Sequence, residues 1–267
     1  HPVYKAMNLL NYDAANLGNH EFNYGLDFLK TAIKGANFPY VSANTYHDDG
    51  DADPSNDKPY FTPYVILDRT VVDTNGKPQK LKVGIIGFLP PQITQWDKAN
   101  LEGKIVTHDI VDSANKYVPE MKAKGADLIV AVPHSGLSVS TRTGMDENAT
   151  YYLSEVKDID AILFGHSHTV FPSKQYKDLK GVDVDKGTIN GVAAVMPGFW
   201  GSHLGIIDLT LIRDRNGKWS VSDSLSTTRS IYKRDGRKKL PLVEADPAIL
   251  EAVKEEHEAT IAYMREG

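Results

Sequence analysis

A chain of 267 residues, 41% of them hydrophobic, holds enough apolar material for one substantial core with a small appendage, and too little for two full domains. Its formal net charge of −5 argues against the basic face that polymeric nucleic acid requires, whereas small phosphorylated ligands stay open because bound cations can supply the positive charge. The absence of cysteine excludes disulfides, thiolate metal sites and cysteine nucleophiles, so any metal must rest on His, Asp, Asn or Glu.

In chain order, the apolar spacing predicts a helix over Pro2–Leu10, a short extended stretch through Ala14, Ala15 and Leu17, and a turn at Gly18. A second helix follows over Tyr24–Ala36, with Leu26, Leu29 and Ile33 on one face, then a strand near Pro39–Asn44. The polar run His47–Lys58 reads as a surface loop, since its acidic residues lack the spacing of an EF-hand. Tyr64–Asp73 and Leu81–Leu89 read as strands joined by a hairpin at Asn75-Gly76, the second apolar on both faces and therefore central. A helix over Val111–Lys124, a buried strand over Leu128–His134, a helix over Asp146–Val156 and a strand over Ile159–His166 predict parallel pairing through right-handed crossovers. After Gly191, strands at Val192–Met196, Leu204–Ile212 and Trp219 onward come without intervening helices, which predicts a second, mainly antiparallel sheet packed on the first. The expected class is therefore α/β, a two-sheet sandwich flanked by helices. From Arg234 the chain reads as a basic loop ending in a helix over Pro247–Arg265. No apolar run approaches the ~18 residues a membrane span needs, and the start at His1-Pro2-Val3-Tyr4-Lys5 has no signal-peptide character.

Three predicted strands end in metal-competent side chains: Asn19 and His20, then His134, then His166 and His168. In open α/β sheets ligands bind at that edge. A lone histidine is more often solvated or hydrogen-bonded than a ligand, but five such residues at three strand ends form a pattern. In an extended segment His166 and His168 would project to one side, ~6.5 Å apart, suiting two ions held ~3.5–4 Å apart. Asn19 offers a neutral carbonyl to a cation, or else caps the following helix. His20 is then free to act on substrate, stabilising phosphate charge or protonating a leaving alkoxide. His1, His47, His108, His203 and His257 have no matching context and read as surface or loop residues.

Gly18-Asn19-His20-Glu21 and Gly165-His166-Ser167-His168, with His134 between them, resemble the calcineurin-like metallophosphoesterase superfamily. Three longer strings resemble its bacterial periplasmic branch of 2′,3′-cyclic-nucleotide 2′-phosphodiesterase/3′-nucleotidases: Gly18–Leu26, Pro133–Ser138 and Val195–Gly201. The likeness covers nearly the whole chain. It implies two divalent metal ions, of Zn, Mn, Fe or Co, with Asn19, His134 and His166 on one and His168 on the other, and His20 as the catalytic imidazole. Where the 5′-nucleotidase branch has an Asp paired with that imidazole, this chain has Asn23, which departs from a plain 5′-nucleotidase and fits the cyclic phosphodiesterase branch.

The resemblance further implies a catalytic domain over residues 1–235, incomplete at its amino-terminal side because an upstream Asp-x-His pair and a bridging Asp have no match here. Residues 236–267 would then be a linker and helix toward a nucleotide-binding domain in the same polypeptide. The implied activity is hydrolysis of 2′,3′-cyclic nucleotides and 3′-nucleotides for nucleotide salvage in the periplasm, with small nucleotides as the partners. On four ligands of the family's seven, the chain by itself is expected to be inactive. A 5′-nucleotidase or UDP-sugar hydrolase, and an inactive metal-binding surface module, are the alternatives.

Overall fold

A computed structural model describes residues 1–266. The apolar runs Pro78–Phe88 and Leu128–Pro133 lie parallel, as expected, with Ala161–Leu163 parallel beyond them. Tyr64–Val72 joins antiparallel on the outer side of Pro78–Phe88 through the hairpin at Asn75-Gly76. Asp73 closes that turn by accepting from the Asn75 and Lys77 amides at 2.8 and 2.9 Å.

The sequence places Val192–Met196 in the second sheet, and here the structure differs. Val192–Pro197 runs parallel to Ala161–Leu163 and so belongs to the main sheet. The crossover between them is built of short strands and turns, so the missing helix signal is no sign of a new sheet. Val182–Asp183, Thr188–Ile189 and Val170–Phe171 complete eight strands on this side. The second layer is a long antiparallel ribbon, His203–Arg213 with Trp219–Ser230.

The two faces of the main sheet are covered differently. Asp109 caps the helix Ile110–Ala123, accepting from the Val111 and Asp112 amides at 2.9 Å each, and Arg142 bridges Asp109 and Asp112. Ala114, Val118 and Met121 of that helix pack on Ile86, Ile129 and Ile162. On the opposite face Leu81, Leu128 and Trp219 form a smaller cluster with ribbon residues Leu209 and Leu211. Neighbours in one strand thus serve two layers, as the period of two in a strand dictates. The sandwich predicted from sequence is present, with a ribbon as its second sheet.

Four other features depart from expectation. The helix read over Asp146–Val156 shrinks to Thr150–Leu153, because Glu147 and Asn148 are engaged elsewhere: the Glu147 carbonyl accepts from Ser135 Oγ at 2.7 Å and Asn148 Oδ1 from the Gly136 amide at 3.0 Å. The basic stretch after Arg234 is no loop but part of a hairpin, Tyr232–Asp235 with Lys238–Pro241. His108 is half-buried rather than free at the surface, stacking on Tyr46 at 4.0 Å and pairing through Nε2 with Asp57 at 2.6 Å. The terminal helix is interrupted, as Pro247–Ala252 and Lys254–Glu266, and Lys5 of the first helix, Pro2–Leu9, pairs with Glu256 at 2.5 Å. Among the described residues no helix is long and apolar enough to cross a membrane.

A small parallel pair, Ala15–Asn16 with Tyr40–Val41, sets the first motif beside the main sheet. Asn16 Nδ2 donates to the Phe88 carbonyl at 2.7 Å, at the carboxyl end of the central strand. Gly87 makes this approach possible: a Cβ there would come to 2.6 Å from the Val41 carbonyl oxygen and strike Asn16 Oδ1.

Candidate metal centre

The chain leaves Asn16 into a turn that leads to the 3₁₀ turn His20–Phe22. Gly18 has to be glycine because the His134 ring lies over it: a Cβ would approach His134 Cε1 and Glu21 Oε2 to 2.9 Å each. Glu21 Oε2 accepts from the Gly18 amide at 2.7 Å, closing the turn. Asn19 starts the 3₁₀ turn but its side chain makes no capping bond there. Its Oδ1 instead lies 2.9 Å from His134 Nε2, so the capping alternative falls away.

His134 follows directly on Leu128–Pro133, and its ring meets that of His166 at 5.1 Å between centroids. His166 Nε2 pairs with Glu147 Oε1 at 2.7 Å, and Trp96 stacks on the His166 ring at 5.9 Å. His168 stacks on Phe199 at 5.2 Å. The extended geometry expected of His166 and His168 is not observed. Both have left-handed backbones, φ 73° and 55°, and the Ser167 amide bonds back to the Gly165 carbonyl at 2.9 Å, so the motif is a sharp bend. Such backbones cost on the order of 1 kcal/mol each, and histidine is among the residues that tolerate them. Strain of this kind gathers at functional sites.

His20 stands next to this group with its own support. Its Nδ1 lies 2.8 Å from Asn23 Oδ1, and Asn23 Nδ2 lies 3.1 Å from each carboxylate oxygen of Asp97. Asn23 thus holds the imidazole by a hydrogen bond and connects it to a charge one residue further away. Asn100 Nδ2 donates to the carbonyls of Phe22 and Asn23 at 3.0 and 3.1 Å, fixing the turn from below.

Burial pushes the His134 imidazolium down to about 4, and His166, His20 and His168 add repulsion in that order. His134 is therefore neutral near pH 7, with a lone pair available. The folded protein resists a proton that the unfolded chain accepts below ~6.5, so this contribution is whole above pH 6.5 and is lost as pH falls toward 4. Its size is on the order of 3 kcal/mol. Urea unfolding with EDTA present is expected to show a stability drop between pH 7 and pH 4.5 that His134→Gln flattens.

Asn19, neutral His134 and His166 make a donor set that suits a divalent cation of borderline hardness. The 2.9 Å between Asn19 Oδ1 and His134 Nε2 is close to the ~3 Å separating neighbouring donors that each sit ~2.1 Å from one ion. Among the described residues no three His, Cys, Asp or Glu side chains are grouped to hold a metal. The donor set fits one ion with an amide carbonyl in its shell, and the Glu147 carboxylate beside it is engaged by His166 Nε2.

A mixed sheet sandwiched between helices and an antiparallel ribbon, with His134 and His166 after its parallel strands and Asn19 brought to them from the neighbouring two-stranded pair, is the arrangement of a phosphoesterase. The chain belongs to the calcineurin-like phosphoesterase family, which matches residues 3–170. Over 264 residues it is 54% identical to the 2′,3′-cyclic-nucleotide 2′-phosphodiesterase/3′-nucleotidase of Salmonella typhimurium, covering 99% of this chain and 39% of that protein. The crystal structure of calcineurin-like phosphoesterase YfkN from Bacillus subtilis superposes with a TM-score of 0.90 at 46% identity, covering 99% of this chain and 75% of that one. More remotely, a 5′-nucleotidase of Vibrio cholerae is 31% identical over 82% of the chain and 38% of its own length. The chain thus spans about two fifths of the length of the Salmonella relative.

Sequence reasoning missed Asp97, Glu147 and Trp96, which lie on connections with no local motif. Asp97 sits between the one-turn helices Ile93–Trp96 and Lys98–Leu101, 74 residues from the Asn23 it meets.

Proposed function

We propose that this chain is the metal-binding part of a hydrolase that acts on 2′,3′-cyclic nucleotides and 3′-nucleotides, releasing nucleoside and phosphate in the periplasm. The observation that carries the reading is the convergence of Asn19, His134 and His166, with His20 held beside them on Asn23. Asn19, His134 and His166 would hold one divalent ion, and His168 would contribute to a second, chosen among Zn, Mn, Fe and Co. Such ions, when bound, supply positive charge against the phosphate and make water acidic enough to attack at neutral pH.

The chain's own residues do the rest. His20 keeps Nδ1 on Asn23 and so has Nε2 left to exchange a proton with the departing ribose oxygen. Burial keeps His134 unprotonated for its ligand role, and Glu147 orients the His166 ring through its nitrogen. The division expected after residue 235 would cut the hairpin Tyr232–Asp235 with Lys238–Pro241, so the catalytic part extends through Pro241 and the segment beyond it leads toward a further domain that grips the nucleoside. That the Salmonella relative is much longer supports this division.

A chimera tests the reading. Replacing the matching segment of the Salmonella protein by this chain is expected to give hydrolysis of 2′,3′-cyclic AMP and 3′-AMP at least ~10-fold faster than of 5′-AMP. EDTA should abolish it. Faster release of phosphate from 5′-AMP would assign the site to a 5′-nucleotidase instead, and metal binding without hydrolysis to an inactive module.

A further inference from the structure

We propose that Asp97 is a positioning residue that fixes the tautomer of His20 through the side-chain amide of Asn23. The argument is one of hydrogen-bond capacity. An ionised carboxylate can only accept, whereas an amide side chain accepts at Oδ1 and donates at Nδ2. Both Asp97 oxygens lie 3.1 Å from one nitrogen of Asn23, so the amide must turn its NH₂ toward Asp97. Its Oδ1 then faces His20 Nδ1 at 2.8 Å and can only accept. The proton between them belongs to His20 Nδ1.

Among the described residues, the His20 ring meets a side-chain hydrogen-bond partner at Asn23 Oδ1. Without Asp97 the Asn23 amide could rotate by half a turn and offer NH₂ to Nδ1, which would then have to be the bare nitrogen. The backbone of Asn23 is held independently by Asn100, whose Nδ2 donates to the carbonyls of Phe22 and Asn23. Loss of the carboxylate therefore frees the amide without displacing the turn. The consequence for chemistry rests on the proposed role of His20: with Nδ1 protonated, the neutral ring presents an unprotonated Nε2, which can take up a proton and return it. The opposite tautomer would block Nε2 in the neutral state.

The test reads the ring directly. In the chain labelled with ¹⁵N-histidine at pH 8, with EDTA present, two-bond proton–nitrogen correlations distinguish pyrrole-type from pyridine-type ring nitrogens, and His20→Gln identifies the His20 signals. The expected result is a pyrrole-type Nδ1 in the unmodified chain, moving toward pyridine-type in Asp97→Ala. The paired exchange Asn23→Asp with Asp97→Asn retains an acceptor at position 23 and should keep Nδ1 pyrrole-type, which a merely structural loss would not reproduce. An Nδ1 signal unmoved by Asp97→Ala, or a pyridine-type Nδ1 in the unmodified chain, overturns the proposal. A shifted tautomer that leaves hydrolysis by the chimera unchanged upholds the link from Asp97 to His20 and instead removes His20 from the proposed mechanism.

Discussion

His20→Ala is expected to lower kcat for 2′,3′-cyclic AMP in the Salmonella chimera by about 10²- to 10⁴-fold, the usual contribution of a positioned acid or base. Bound metal, measured by elemental analysis, should stay within error of the unsubstituted protein. The two readings separate because His20 makes its hydrogen bond to Asn23 Oδ1, away from the Asn19–His134 pair. The 3₁₀ turn His20–Phe22 keeps its other supports in this variant: the Glu21 carboxylate on the Gly18 amide, Phe22 in the core, and Asn100 on the carbonyls beneath. Loss of metal in step with loss of turnover would show His20 to be a ligand and would remove its separate role.

His134→Ala is expected to act at the other end of this division, weakening binding of Zn²⁺ or Mn²⁺ by more than ~100-fold, since even partners one shell further out are worth 10–100-fold. Hydrolysis should disappear with the metal. His134 is the hub of the arrangement: Asn19 Oδ1 meets its Nε2, the His166 ring lies against it, and Gly18 leaves it room. The substitution also removes a histidine that burial holds neutral. Its folding should accordingly become less sensitive to pH between 7 and 4.5, so urea unfolding separates a folded, metal-free variant from an unfolded one. Unchanged metal affinity in a folded His134→Ala would refute the assignment of His134 as a ligand.

Much of this was legible in the residues alone, for identifiable reasons. Leu128–Pro133 and the carboxyl half of Pro78–Phe88 lie side by side in the middle of the mixed sheet and read as near-continuous apolar segments. Asn75-Gly76 marks a hairpin because a tight turn demands what those residues tolerate. The position of His134 follows from the end of Leu128–Pro133. Other features are set by contacts between distant segments. Val192–Pro197 joins the main sheet because of its pairing with Ala161–Leu163, which no local pattern encodes. The hairpin Tyr232–Asp235 with Lys238–Pro241 is polar and exposed, so its Asp235-Gly236 turn signal is masked by a composition that resembles a loop. Asp97 and Glu147 are ordinary acidic residues until the fold sets them on Asn23 and His166. The bend at Gly165–His168 has no sequence signal, because a histidine in a left-handed backbone leaves no mark in spacing.

Crystals of the chain soaked in Mn²⁺ and measured at the manganese absorption edge test the central claim most directly, because the anomalous map locates the ion without reference to activity. The account predicts a peak within ~2.0–2.3 Å of both Asn19 Oδ1 and a His134 ring nitrogen, with the His166 ring turned toward it. A map with no peak at that cluster, or with its strongest peak at the acidic loop around Asp51 and Asp53, would contradict it.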